Sequence, residues 1–169
     1  VDDYFDVIGG KTAVLFSAAA AAGIEITGAP AAQVEAMRVY GMELGMAFQI
    51  MDDALDYTAS AEQMGKNAGD DFADQKITLP TILAWQDGDA EERAFWQRTL
   101  GEADFAEDDL ERAQALLAAH DAVNRSVAVA HDHAVKAGAA LTPFIGDKRT
   151  APLARALADA ALFAAHRAS

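Results

Sequence analysis

Apolar residues recur along this chain at helical spacing, three or four apart, rather than in alternation. The pattern predicts a helix over 4–22 that ends at Gly23, and a longer one over 31–57 entered after Pro30. Residues 58–78 carry Gly65, Gly69 and several polar side chains, and read as a loop. A helix starts again near Leu79–Pro80, with proline in a first-turn position. Further helical patterns cover 91–100, 107–119, 122–141 and 152–167, separated by Gly88, Gly101, His120 and the stretch 143–148. No segment alternates as a strand does, and neither a repeat nor a Pro/Gly/Ser linker divides the chain, so an all-α fold in one domain, 1–169, is predicted.

Laid out at helical pitch, the second helix separates two arcs. Met37, Tyr40, Leu44, Ala47, Phe48, Met51 and Leu55 fall on one, and Arg38, Gly45, Gln49, Asp52, Asp53 and Asp56 on the other. Aspartate is a mediocre helix former, and like charges four apart repel. No lysine or arginine lies within four residues of this acidic group. Two readings fit it. One is the solvated face of an amphipathic helix. The other is a site for a hard cation such as Mg²⁺, which takes one or two carboxylates together with water and phosphate oxygens. Gly45 and Met42 on the same face favour the second reading over a mixed Lys/Glu surface.

Composition narrows the function. Hydrophobic residues make up 52% of 169, enough for a real core. The net charge of −14 argues against a nucleic-acid interface and against anionic membrane surfaces. The absence of cysteine removes disulfides, thiolate catalysis and cysteine-bound metals. The longest apolar run, 13–24, is short for a bilayer and lacks a basic flank, so no transmembrane segment, no signal peptide and a cytoplasmic location are expected. A chain that starts with Val1 rather than Met points to a trimmed chain or a fragment.

Two further stretches carry candidate chemistry. In IGGKTAVLFSAAAAAG, Lys11 is the single charge, either snorkelling from a packed helix or held to meet an anion, with Thr12 as a hydroxyl donor and Gly9 and Gly10 allowing close backbone approach. In MGKNAGDDFADQKITLP, Lys66 and Lys76 sit in a glycine-containing loop just after the acidic helix, as a polar surface loop or as point charges for a diphosphate. Asp2, Asp3 and Asp6 repeat the acidic spacing at the chain start, where carboxylates favour a helix N-terminus, and read as capping. His120, His131, His133 and His166 show no metal-ligand spacing and read as surface or core residues, while Trp85 and Trp96 read as packing anchors.

Taken together, GGKTAVLF, YGMELGMAFQIMDDALDY and GKNAGDDFADQKITLP resemble the trans-type polyprenyl diphosphate synthases, most closely those that make octaprenyl or decaprenyl chains for quinones. The resemblance runs from about Tyr4 to Arg167 and includes AGAALTPFIGDKRTAPLARALADAALFAAHR. It implies an antiparallel helix bundle of the isoprenoid synthase type, usually a homodimer, that joins an allylic diphosphate to isopentenyl diphosphate with Mg²⁺ and releases pyrophosphate. On the matching positions it implies Asp52, Asp53 and Asp56 as metal ligands of the family's second aspartate-rich motif. It implies Lys11 and Lys66 as contacts of the allylic diphosphate, Thr12 and Gln49 as polar residues at the reacting end, and Lys76 and Asp71 in the pattern after the motif, Lys76 as a further diphosphate contact.

The family's first aspartate-rich motif, its arginine pair and most isopentenyl-diphosphate-binding residues lie upstream of the KT motif and have no counterpart here. The resemblance therefore implies the C-terminal half of a synthase domain, inactive by itself. A terpene cyclase of the same fold usually replaces the second DDxxD with an Asn/Ser/Glu-type triad, which Asp52, Asp53 and Asp56 do not match. A non-catalytic subunit of a heteromeric synthase is the other alternative, although it would be expected to lose the lysines and aspartates retained here.

Overall fold

Alanine dominates the helical segments, and the computed structural model, which describes residues 1–58 and 69–166, is helical in every regular element among them. The elements are α1 (Asp2–Ile8), a π-helical turn (Gly9–Ala13), α2 (Val14–Glu25), α3 (Ala31–Leu55), α4 (Asp70–Ala73), α5 (Leu79–Asp87), α6 (Ala90–Trp96), a second π-helical turn (Gln97–Gly101), α7 (Asp109–Ala119), α8 (Ala122–Ala140), a 3₁₀ turn (Thr142–Phe144) and α9 (Ala151–Ala164). Contacts group the chain into two units, Asp2–Met51 with the residues from Ala128 onward, and Asp52–Val127.

In the first unit the helix predicted over 4–22 is interrupted and longer. The π turn at Gly9–Ala13 splits it, and Gly23 lies inside α2 rather than ending it. The stop comes at Gly28, whose φ of 72° suits glycine better than any L-residue. The alanines around Gly23 carry the helix past it, against a cost of about 1 kcal/mol for a mid-helix glycine.

Two glycines of α3, rather than Gly9 or Gly10, bring helix backbones together in this unit. A Cβ on Gly10 would meet nothing within 4 Å. One on Gly41 would lie 2.4 Å from the Phe16 carbonyl oxygen, and one on Gly45 would lie 2.5 Å from Ala13 Cα. These two glycines of α3, one helical turn apart, let its backbone touch that of α2 and the π turn. The Ser17 hydroxyl donates to the Arg38 carbonyl across the same crossing at 2.9 Å, and the Phe16 and Phe48 rings pack 5.5 Å apart. The Tyr40 hydroxyl donates to the Leu157 carbonyl of α9 at 3.0 Å, and His133 Nδ1 of α8 bonds Glu43 of α3 at 2.6 Å.

By length and composition alone, the stretch Asp2–Glu25 is long and apolar enough to cross a membrane, and 22% of its most apolar window is buried. The apolar residues of α1 extend the shorter apolar run 13–24 to this length.

In the second unit, residues 69–78 are more ordered than a loop, since they contain the single turn α4. Pro80 stands in the first turn of α5 as expected. Thr81 Oγ1 accepts the Thr78 N–H at 3.1 Å and donates back to the Thr78 carbonyl at 2.8 Å. Asp89 caps α6 by accepting the Glu91 and Glu92 N–H groups at 2.8 and 3.0 Å, while Glu92 accepts the Asp89 N–H. The core joins Tyr57, Phe72, Ala84, Phe95, Trp96, Ala113, Leu117 and Ala122. Trp96 is an anchor there, 5.0 Å ring to ring from Phe95. Trp85 is not. It stands half-exposed with the Arg93 guanidinium 5.3 Å over its ring, because its position on α5 faces outward.

Candidate functional site

No residue from Tyr40 to Thr58 is exposed, so α3 is packed all round over its C-terminal half. For Asp53 and Asp56 this argues against the solvated-face reading. Asp53 and Asp56 retain 6% and 5% of their accessible surface, and Asp52 is half-buried. Carboxylates at this depth are costly unless hydrogen bonds or cations offset them.

Part of the offset for Asp56 is visible. Its Oδ2 accepts the Asp71 N–H at 2.9 Å, and its carbonyl accepts the Gly69 N–H, also at 2.9 Å. The chain beyond the acidic motif thus returns onto the motif's last residue. Gly69 makes the return possible in two ways. Its φ is 86°, and a Cβ there would lie 2.4 Å from Leu110 Cδ1. From Asp71 the contact continues to Lys76, whose Nζ donates to Asp71 Oδ1 at 2.7 Å and approaches Asp74 at 3.2 Å. The Lys76 N–H also donates to the Asp71 carbonyl at 2.9 Å. The bond that the Lys76 ammonium donates to the Asp71 carboxylate holds it well above its usual pKa.

Beside these carboxylates stands the Tyr57 phenol. Burial pushes its pKa well above the usual value; the Thr78 hydroxyl near it opposes that shift, and the charges of Asp71, Asp56 and Asp53 add to it. Among the described residues, the buried Tyr57 hydroxyl has no partner in hydrogen-bonding geometry.

Among the described residues no three His, Asp or Glu side chains converge closely enough to hold a metal by themselves. Buried hard-oxygen donors nevertheless fit Mg²⁺, which takes few protein carboxylates and fills its shell from water and phosphate oxygens.

The other predicted residues lie in the first unit or beyond the described residues. The Thr12 hydroxyl donates to Gln49 Oε1 at 2.8 Å, joining the π turn to α3. Lys11, in the same turn, is exposed and so is not sunk into an apolar wall. A π turn widens the helix and commonly marks a functional position. Lys66 lies outside the described residues. Asp2 and Asp3 stand in the first turn of α1 and Asp6 further along it, and the histidines sit at or near the surface, His120 bonded to Glu92 at 2.9 Å.

Sequence reasoning missed what holds these groups. The GMELG spacing of Gly41 and Gly45 was the signal for a tight helix crossing, since two small residues four apart form one flat stripe. The backbone grip of Asp71 on Asp56 had no signal beyond Gly69.

Comparison with known proteins places these features in a family context. The polyprenyl synthetase family model matches residues 1–117. An octaprenyl diphosphate synthase from Haemophilus influenzae is 36% identical over 135 residues, which are 80% of this chain and 41% of that protein. Among solved structures, a decaprenyl diphosphate synthase from Rhodobacter capsulatus superposes with a TM-score of 0.89 at 42% identity, covering 99% of this chain and 50% of that one. A polyprenyl synthase from Caulobacter crescentus, crystallised with calcium and isoprenyl diphosphate, gives 0.90 at 42% identity, covering 98% and 49%. The chain spans about half the length of these solved relatives, and less than half of the Haemophilus protein.

Proposed function

This chain belongs to the polyprenyl synthetase family, and from that premise we propose that it forms the C-terminal half of a long-chain trans-polyprenyl diphosphate synthase. The enzyme would join an allylic diphosphate to isopentenyl diphosphate and release pyrophosphate. The observation that carries this reading is the depth of Asp53 and Asp56, carboxylates kept in a packed helix where a solvated face has no place.

In this reading Asp52, Asp53 and Asp56 hold Mg²⁺, whose positive charge when bound neutralises a departing diphosphate. Lys11 and Lys66 contact the allylic diphosphate as point charges, placed where negative charge develops as the carbon–oxygen bond breaks. Thr12 and Gln49, joined by their hydrogen bond, line the reacting end with fixed polar atoms. The loss of diphosphate leaves an allylic cation, the double bond of isopentenyl diphosphate attacks it, and a proton is then released. A quinone side chain is the proposed destination of the product, a homodimer the proposed assembly and the cytoplasm the proposed location. The sparse burial of Asp2–Glu25 supports the half-domain reading, since an apolar helical face of that length suits packing against further helices.

Two measurements test the proposal. Mg²⁺ with methylenediphosphonate, a non-hydrolysable diphosphate, should raise the melting temperature of this chain, by the equivalent of about 2.7 kcal/mol at a hundredfold excess over the dissociation constant. Asp53→Ala should remove the rise. The 169-residue chain alone should not incorporate isopentenyl diphosphate. Turnover by it would refute the half-domain reading, and an unmoved melting temperature would refute the site.

A further inference from the structure

We propose that Lys76 is a positioning residue for Asp56, acting through Asp71, rather than a direct contact of the diphosphate. The inference rests on the reading of Asp56 as part of the metal and diphosphate site.

Each link is short and specific. The Lys76 ammonium holds the Asp71 carboxylate at 2.7 Å, and the Lys76 N–H holds the Asp71 carbonyl at 2.9 Å. Asp71 is thereby gripped at both its side chain and its backbone. Its own N–H then points at Asp56 Oδ2, 2.9 Å away. Gly69, fixed against Leu110, donates to the Asp56 carbonyl from the same returning strand of chain. One oxygen of Asp56 is thus held by the protein, which restricts the orientation of the carboxylate.

The alternative role requires more of Lys76. Its ammonium already faces two carboxylates, Asp71 and Asp74, which occupy two of its three N–H donors and offset its charge. The Lys76 side chain is half-exposed, so its ion pair adds little to global stability. Geometry, not folding energy, is what it can supply. Partners that orient a ligating carboxylate commonly change metal affinity tenfold or more when removed.

Lys76→Met keeps the apolar stem and removes the charge, and Lys76→Arg is the conservative control. Three readouts are needed on this chain: hydrogen exchange at the Asp71 amide, Mg²⁺ affinity in the presence of methylenediphosphonate by calorimetry, and the urea midpoint. Lys76→Met should speed Asp71 exchange about tenfold and weaken Mg²⁺ binding about tenfold, with the midpoint unmoved. Lys76→Arg should restore both. Asp71→Asn should weaken Mg²⁺ binding similarly, and the double variant should be no worse than either single one. Unchanged Asp71 exchange, unchanged Mg²⁺ affinity, or additive losses that fall on diphosphonate affinity at saturating Mg²⁺ would overturn the proposal. If the unsubstituted chain binds no Mg²⁺–diphosphonate, the reading of the site fails, while the exchange measurement still decides whether Lys76 fixes Asp71.

Discussion

The crossing of α3 with α2 and the turn-back after α3 both place candidate site residues, by opposite means. At the crossing the placement is steric. Gly41 and Gly45 bring two backbones into contact, and the Thr12–Gln49 hydrogen bond spans the gap that remains. At the turn-back the placement is polar. Backbone N–H groups of Gly69 and Asp71 seize Asp56, and a lysine secures the second of them. The first arrangement depends on what side chains are absent, the second on which charges are present. They should therefore respond to different perturbations.

The largest expected effect separates chemistry from folding. Asp53→Ala in a complete synthase carrying this sequence should lower Mg²⁺-dependent isopentenyl-diphosphate incorporation by about 10³-fold, the upper end of what one electrostatic group contributes. The melting temperature should change little in comparison, so a collapse in stability would make Asp53 a structural residue. Next in size, Gly45→Val should cost about 2–3 kcal/mol in urea unfolding, because its side chain must displace the Ala13 backbone. The loss should be indifferent to salt and pH. A loss below about 1 kcal/mol would mean that the crossing can open. Thr12→Val should cost about 1 kcal/mol by removing one hydrogen bond at nearly constant volume, read by the same unfolding curve.

The smallest effect is a pH dependence at a different polar pair of the second unit. Asp109 accepts two bonds from the Arg98 guanidinium, at 2.6 and 2.9 Å, and one from the Ala106 N–H. The guanidinium holds its carboxyl below the usual aspartate value. A depressed folded-state pKa stabilises above the unfolded value, about 3.9, and that stability is lost as pH falls through the folded one. Melting temperatures recorded from pH 6 down to 3 should therefore fall more steeply for the parent chain than for Asp109→Asn. Parallel curves would show that this pair is inert.

The contrast also explains what could be read from sequence. The helices follow from apolar spacing and alanine content, and Pro80 placed the start of α5 correctly. The acidic residues and Lys11, Thr12 and Gln49 stood out because charge or polarity in an apolar run is conspicuous. The interruption at Gly9–Ala13 did not, since a π turn changes the hydrogen-bond register without changing composition. The burial of Asp53 and Asp56 escaped the helical wheel, which records direction but not what lies opposite. Trp85 and Trp96 look alike in sequence, and only the packing of α5 and α6 separates an exposed ring from a core one.

The π turn at Gly9–Ala13 has a consequence for engineering. A π bulge amounts to one residue inserted into an α-helix. Excising Gly10 would let α1 and α2 merge into a regular helix and gain backbone regularity. The turn already absorbs the extra residue, so everything N-terminal to the cut would keep its phase, whereas one residue added to an unbroken helix would rotate it by about 100° about the axis. Tyr4 and Ile8, now buried, would keep their facing. The irregularity is thus a phase adjuster: it lets the buried faces of α1 and α2 point the same way in a stretch whose sequence period alone would set them apart.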